Sequence, residues 1–379
     1  MTASSRLTAT LLIAAVVMAL AFLFVGKVSR KMPDFEVYWT AANRARQAEP
    51  LYRAEDGHYQ FKYLPAFAVL TIPLGAFSLG TAKAIWFVAS VALLTLLIIS
   101  SVRLMPERRR PTPILVTLTL LVMAKFYGHE LVLGQMNALF GVIAAAAALA
   151  AVSGREAITG VLMALAIAVK PYAVIFLPWV VARRRFASIA AAVVGCALIF
   201  AIPCVVYGVH GTIELHRNWW STVTASTAPN LTNADNVSIA AMWAKWIGAG
   251  RLATNLTAVT SAGALAVAIF VFVRRTGVRA PEALECAVLL TLIPLLSPQG
   301  WDYVFLISTP AIMLLVNYDD RLPLAARILT RVALAAIGLS LYDIMGRSAY
   351  GIFMSLSIIT VCYFIVVSAL CVLRARAIA

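Results

Sequence analysis

Apolar runs of about twenty residues, separated by short basic segments, are the feature that most limits what this chain can fold into. A helix needs roughly 20 mainly apolar residues to cross about 30 Å of hydrocarbon. Hydrophobic residues make up 62% of the sequence and charged residues 12%, whereas water-soluble domains carry roughly 45–50% and about 25%. A packed soluble core cannot absorb this excess, so we expect lipid to surround most of the chain.

These runs predict an all-α, polytopic transmembrane bundle of about twelve spans, because backbone groups in a bilayer need internal hydrogen-bond partners. No polar stretch is long enough for a separate soluble domain, so residues 1–379 are expected to form a single integral membrane domain. The first run, Leu7 to Val25, lacks a small-residue cleavage site and is interpreted as a retained span. The candidate spans are roughly residues 8–26, 82–104, 112–127, 131–152, 156–169, 171–182, 187–208, 252–273, 282–297, 302–317, 324–342 and 350–373.

Arginine clusters set the expected orientation. The net charge is +15, and the basic residues lie in short clusters at 108–110, 183–185, 274–275 and 374–376. This pattern is typical of a topology signal rather than of a nucleic-acid surface. Twelve spans keep all the clusters and both termini cytoplasmic, whereas a thirteenth span at residues 65–79 would move 108–110 outside. We therefore expect residues 65–79 to form short interfacial helices at the outer face.

This topology places the chemistry on the outer face, in a first outer loop at about 27–81 and a second at about 209–250. The cytoplasmic loops are short and basic. The five cysteines lie in or beside apolar runs without metal-binding spacing, so neither a metal nor a cofactor is expected. Motifs for nucleotide binding or soluble hydrolases are also missing from the sequence.

Asp34 and Lys170 are the most informative charged residues. Asp34 opens the first outer loop and precedes Tyr38 and Trp39. A carboxylate beside apolar aromatics can have a raised pKa and act as a general base, although aspartate also caps helices. Lys170 stands between two apolar runs and precedes the helix-breaking Pro171. A lysine there must either reach water or meet an anion, and a phosphate would suit it.

Each of the other polar residues has more than one interpretation. His129 and Glu130 are expected in a tight turn, where they could bind an ion, move a proton or simply be solvated. The amides of Gln135 and Asn137 lie within an apolar run and could bind a ligand or bridge helices.

In the second outer loop, tryptophans accompany Arg217, which could clamp a phosphate. Those tryptophans could stack on a sugar or only anchor the loop at the membrane surface. Asp302 could cap a helix or hold a substrate hydroxyl.

Three functions fit these residues. An outer cavity with carboxylates and basic groups suits an enzyme that transfers a group from a lipid phosphate carrier. A transporter or lipid flippase would use Lys170 and Gln135 as a polar pathway, but the polar residues cluster at the outer helix ends rather than at mid-membrane. A scaffold role has no specific support.

Short motifs follow one another in a characteristic order over about residues 30–305. They are Asp34 with Tyr38, Pro50 to Tyr52, Phe61 to Pro65 with Tyr63, Ile72 to Leu74, Trp86, Gly134 to Asn137, Lys170 to Tyr172, Asn236 to Ser238, and Leu296 to Trp301. This set resembles glycosyltransferase family 87, whose members are polytopic mannosyltransferase-type enzymes of the GT-C superfamily. Two positions depart from the family pattern: Val237 replaces a glutamine, and Asp302 stands where a histidine often follows.

The resemblance implies a polyprenyl-phosphate sugar donor, usually of mannose, and a glycolipid or cell-envelope glycan acceptor. It implies that Asp34 is the general base and that the enzyme lies in a bacterial cytoplasmic (inner) membrane, with its site on the periplasmic face and no nucleic-acid partner. The candidate substrate-binding residues are Tyr38, Tyr63, His129, Glu130, Gln135, Asn137, Lys170, Arg217, Asn236, Trp301 and Asp302.

Overall fold

The computed structural model describes residue 15, residues 17–274 and residues 280–376, and every regular element within them is a helix. The prediction of an all-α fold is confirmed. The main helices are α1 (Val17–Val28, which is a π-helix over Phe24–Val28), α2 (Pro33–Arg46), α3 (Pro65–Leu70), α4 (Ile72–Gly75), α5 (Leu79–Leu104), α6 (Thr112–Leu133), α7 (Asn137–Val152), α8 (Glu156–Val169), α9 (Phe176–Ala182), α10 (Phe186–Ala201), α11 (Cys204–Ala225), α12 (Ile239–Ile247), α13 (Arg251–Val273), α14 (Pro281–Leu296), α15 (Thr309–Asn317), α16 (Leu324–Leu339), α17 (Tyr342–Ser355) and α18 (Ile358–Ala375). Short 3₁₀ helices cover Ala54–Tyr59, Pro171–Ile175, Asp302–Ser308 and Asp319–Arg321.

Four helices in this part of the chain, α5, α6, α13 and α18, are long and apolar enough to cross a membrane. Two bent pairs, α10 with α11 at 93° and α16 with α17 at 108°, raise the number to six if each pair is one span. The predicted total of about twelve spans is therefore not confirmed. The other apolar helices are shorter, in part because the chain breaks where proline removes a backbone donor, as it does between α8 and α9 at Pro171.

One predicted turn and one predicted loop are wrong, because both are largely helical. Helix α6 continues to Leu133, so His129 and Glu130 lie on a helix rather than in a tight turn. It ends there because Gly134 takes the left-handed conformation, with a φ of 69°, that favours glycine. The loop predicted at about 209–250 is mostly helical, since α11 extends to Ala225 and α12 follows.

The first predicted loop does contain short helices. Helices α3 and α4 cover most of residues 65–79, and the side chains from Pro65 to Ala68 are buried. Proline occupies the first turn of each helix, where its missing N–H is not needed. These short helices pack beside α2, with Phe67 against Tyr38 and Gly75 against Asn43.

Helix α14 forms the centre of the bundle, and every residue from Glu282 to Leu295 is buried. Its carboxylates are neutralised by arginines from other parts of the chain, because a buried unpaired charge is costly. Glu285 pairs with Arg183 and with Arg374 at 3.0 Å, and Arg183 also reaches Glu282 at 3.0 Å. The arginine clusters that predict topology are thus also structural ion-pair partners.

A substitution at Gly160 would test the close packing of α8 against α10. A Cβ atom at this position would lie 2.2 Å from the backbone oxygen of Ser188. We expect Gly160→Ala to lower the free energy of unfolding by about 1–3 kcal/mol, because the two backbones must separate. Denaturant or thermal unfolding of the purified protein in detergent would measure this.

The matched control is Gly263→Ala on α13, where a Cβ atom meets nothing within 4 Å. That change should be neutral or stabilising by up to about 1 kcal/mol, because alanine favours helix. Equal stability losses in both variants would contradict the packing argument.

Candidate active site

A cavity of about 410 Å³ lies between the start of α2, the segment 58–63, the end of α8 and the segment 297–304. Six of the residues singled out in the sequence line it: Asp34, Tyr38, Tyr63, Gln135, Lys170 and Trp301. These residues come from parts of the chain more than 200 positions apart, so the fold brings together what the sequence keeps separate.

A continuous chain of hydrogen bonds crosses this cavity. The Gln135 amide Nε2 donates to Asp34 Oδ2 at 2.6 Å, and its Oε1 accepts from the Tyr38 hydroxyl at 3.2 Å. The hydroxyl oxygens of Tyr38 and Tyr63 are 2.8 Å apart, and Lys170 Nζ donates to the Tyr63 hydroxyl at 2.8 Å. The carboxylate and the ammonium group are therefore joined through three uncharged side chains.

The start of α2 positions Asp34. Met32 takes a left-handed conformation, with a φ of 64°, and its N–H donates to Val132 O at 2.9 Å, which fixes the entry to the helix. Pro33 then begins the helix, and the buried Phe35 turns Asp34 toward the cavity. Asp34 makes no side-chain cap to α2, so the capping alternative does not describe it. Burial raises the pKa of its carboxyl above the usual value, while the Gln135 hydrogen bond and the charge of Lys170 oppose the rise.

Lys170 stands at the break between α8 and the following 3₁₀ helix and is only 8% exposed. Its ammonium lies 4.8 Å from the centre of the Tyr63 ring and 5.8 Å from that of Tyr172. Aromatic faces attract a cation at such distances. The lysine therefore does not escape to open water but is held at the wall of the cavity.

Sequence reasoning missed several residues of this cavity. Lys62 lines it, and burial lowers the pKa of its ammonium while the charge of Asp34 opposes the change. Tyr303 also lines the cavity. Trp219 and Trp220, two of the second-loop tryptophans for which sugar stacking is one interpretation of the sequence, line it as well, and the Trp219 indole donates to Lys62 O at 3.1 Å. The one available signal was the position of Lys62 inside an aromatic motif, between Phe61 and Tyr63.

Glu130 and Asn137 lie outside the cavity, where Glu130 caps the N-terminal end of α7. Glu130 is fully buried; its Oε1 accepts from the Ala138 N–H at 2.7 Å and its Oε2 from the Asn137 side-chain amide at 2.9 Å. A carboxylate at this position accepts a hydrogen bond from a backbone N–H at the start of α7 that has no partner within the helix. Its negative charge also interacts favourably with the positive end of the helix dipole.

His129 and Asp302 belong to a second charged cluster behind the cavity wall. Lys125 Nζ lies 2.7 Å from Asp302 Oδ2, and His129 Nδ1 lies 3.6 Å from Asp302 Oδ1. Lys125 and Asp302 are both nearly inaccessible to solvent. Asp302 stands between Trp301 and Tyr303, which line the cavity, so this ion pair anchors part of its wall. Across the described ranges, no group of three His, Cys, Asp or Glu side chains could hold a metal ion.

Asn236 and Arg217 have different surroundings. The buried amide of Asn236 donates to Pro298 O at 2.9 Å, and the neighbouring Val237 N–H donates to Gly300 O at 2.7 Å. Asn236 thus holds the segment that leads to Trp301. Arg217 is exposed on α11 and does not line the cavity.

A model of glycosyltransferase family 87 matches residues 61–298, which is more than half of the chain. The match includes Tyr63, Gln135 and Lys170 and begins after Asp34. No curated protein and no solved structure matches the chain.

The Lys125–Asp302 pair gives a prediction about stability. Lys125→Met should destabilise the protein by about 3–5 kcal/mol, because it leaves a buried carboxylate without its cation. The double variant Lys125→Met/Asp302→Asn should recover a large part of that loss, since it removes both charges. Thermal unfolding of the three proteins in one detergent would show this, and a double variant no more stable than Lys125→Met would contradict the ion-pair role.

Proposed function

Because the chain belongs to glycosyltransferase family 87, we propose that it transfers a hexose, with mannose as the expected sugar, from a polyprenyl-phosphate sugar donor to a lipid-linked or cell-envelope glycan acceptor. The observation that carries the proposal is the Asp34 cavity, in which one carboxylate faces two lysines. Such a cavity provides a base for a hydroxyl group and cations for a phosphate.

Asp34 is the proposed general base. Its carboxylate removes the proton from an acceptor hydroxyl as that oxygen attacks the anomeric carbon of the donor. The new glycosidic C–O bond forms while the bond between the anomeric carbon and the phosphate oxygen breaks. This direct displacement inverts the anomeric configuration, and Asp34 later releases its proton to water. The Gln135 hydrogen bond at 2.6 Å orients the carboxylate and leaves its other oxygen for the acceptor.

Lys170 and Lys62 are the proposed partners of the donor phosphate. Negative charge grows on the phosphate as the sugar leaves, and fixed cations in a site of restricted water stabilise that charge. Tyr63 already orients the Lys170 ammonium. Tyr303, Trp219 and Trp220 supply aromatic surface on which a sugar ring can stack.

We place the cavity at the outer face of a bacterial inner membrane, with both termini cytoplasmic. In this arrangement the shorter apolar helices cross the bilayer beside the longer ones, which brings the number of crossings to about twelve. Irregular backbone at membrane depth is tolerated where it lines a cavity, and the break at Lys170 and Pro171 does so. Lipid then surrounds the outer faces of the helices and lets the donor tail enter from the side.

Replacement of Asp34 tests the base assignment. Asp34→Asn keeps the shape of the side chain but removes the proton acceptor, so we expect transfer to fall about 10²–10⁴-fold. The assay uses purified protein, labelled polyprenyl-phosphate mannose and extracted envelope lipids. Glu49→Gln, an acid of the same loop outside the cavity, is the matched control and should retain activity. Equal transfer by wild type and Asp34→Asn would refute the assignment.

The pH profile of kcat/KM tests the role of Gln135. Asp34 acts as a carboxylate, so activity is present above its pKa and is lost as the pH falls through it. Gln135 lowers the pKa of Asp34, so Gln135→Leu should move the acid limb of the profile to higher pH. Gln299→Leu, a cavity amide that instead donates to Ser226 and Thr227, should leave the limb in place. An unmoved limb in Gln135→Leu would mean that the limb does not report Asp34.

A further inference from the structure

A second cavity, of about 580 Å³, lies on another side of α2 from the Asp34 cavity. Glu36, Thr40 and Arg44 line it from α2, and Arg30 and Lys31 line it from the preceding turn. The two cavities are neighbours, because Val37 and Tyr59 line both of them. A molecule that fills the second cavity therefore lies next to the Asp34 cavity.

The side chains that line the second cavity carry more positive than negative charge. Its two carboxylates already have cations: Glu36 pairs with Lys83 at 2.5 Å, and Asp56 accepts two hydrogen bonds from Arg44 at 2.5 and 2.7 Å. Arg30 and Lys31 are both exposed, and the side chain of neither has an ion-pair or hydrogen-bond partner among the described residues. Two positive charges are therefore free to meet a ligand.

The turn that carries these charges is held in place. Lys83 Nζ donates to Lys31 O at 2.7 Å and to Ser29 O at 3.3 Å, in addition to its contact with Glu36. The N–H of Met32 is bonded to α6 through Val132 O. A buried lysine thus serves to fix the backbone under two free cations. Such preorganisation lowers the entropic cost of binding an anion.

We propose that this second cavity binds an anionic group of the sugar acceptor, a phosphate or a carboxylate, at Arg30 and Lys31, and so presents the acceptor hydroxyl to Asp34. The inference rests on the proposed function. The donor phosphate does not fit this role, because it is bonded to the anomeric carbon and must lie beside Asp34, where Lys62 and Lys170 are available. The acceptor's charged group has no such restriction and can lie further from the reacting hydroxyl.

The first test is direct binding to the full chain in dodecyl maltoside. The probe is dihexanoyl phosphatidic acid, with dihexanoyl phosphatidylcholine as its zwitterionic counterpart, measured by titration calorimetry. A Lys62→Met/Lys170→Met background removes the cations of the Asp34 cavity. In that background, Arg30→Gln/Lys31→Gln should weaken binding of the phosphatidic acid about tenfold and leave the phosphatidylcholine unchanged.

The matched control is Arg46→Gln/Arg103→Gln, which removes two exposed arginines that line neither cavity. In the same Lys62→Met/Lys170→Met background, the control should retain the affinity of that background. Equal losses in both double variants would show a general charge effect and would overturn the proposal, as would an unchanged affinity in Arg30→Gln/Lys31→Gln.

The second test is transfer of labelled mannose to envelope lipids separated by ion exchange into anionic and neutral fractions. Arg30→Gln/Lys31→Gln should raise KM for the anionic fraction about tenfold, with kcat and the donor KM unchanged. A raised donor KM instead would contradict the acceptor role. A wild-type protein that transfers no sugar would refute the proposed function and with it the acceptor role, whereas the binding titration decides separately whether the cavity is an anion site.

Discussion

Polar groups inside an apolar protein need hydrogen-bond or charge partners. Asp34 and Lys170 meet this need together, because hydrogen bonds through Gln135, Tyr38 and Tyr63 connect them. The bonds of 2.6–3.2 Å along this chain join the start of α2, the segment before α3, the junction of α6 with α7 and the end of α8. An unpaired carboxylate or ammonium in such surroundings would cost several kcal/mol. The polar side chains that line the cavity therefore have two roles. They hold its walls in place, and they supply the groups that can act on a substrate.

The same constraint explains the other polar residues of the interior. Glu130 satisfies the start of α7, the Lys125–Asp302 pair anchors the segment that carries Trp301 and Tyr303, and arginines neutralise the carboxylates of α14. Each of these groups lies at a helix end or between helices that are distant in sequence. Some charged residues of this membrane protein thus only hold helices together, whereas others also face a cavity. Asp34, Lys62, Lys170, Arg30 and Lys31 belong to the second group, and their position at a cavity marks them as candidates for chemistry more clearly than charge alone.

The helical fold and about half of the candidate site residues could be predicted from the sequence, for physical reasons. Long continuous apolar runs in lipid predict helices, and Lys170 is a candidate from the sequence alone because lysine is costly beside such runs. Helix ends were harder: the left-handed Gly134 moved the end of α6 beyond His129 and Glu130. The number of spans does not follow from the apolar runs, because the chain breaks and bends within several of them. The roles of Lys62 and Lys125 cannot be assigned from the sequence, because only the folded chain shows that the first lines a cavity and the second meets the carboxylate of Asp302.

In the proposed reaction, an acceptor oxygen activated by Asp34 displaces the donor phosphate in one step. The anomeric configuration of the product tests this most directly. Purified protein would be supplied with a polyprenyl-phosphate sugar of known anomeric configuration together with envelope lipids, and the linkage formed would be assigned by nuclear magnetic resonance. A product with the opposite configuration to the donor is the predicted result. A product that retains the donor configuration would require a covalent sugar–enzyme intermediate or another route, and it would contradict the role of Asp34 as the general base of a direct displacement.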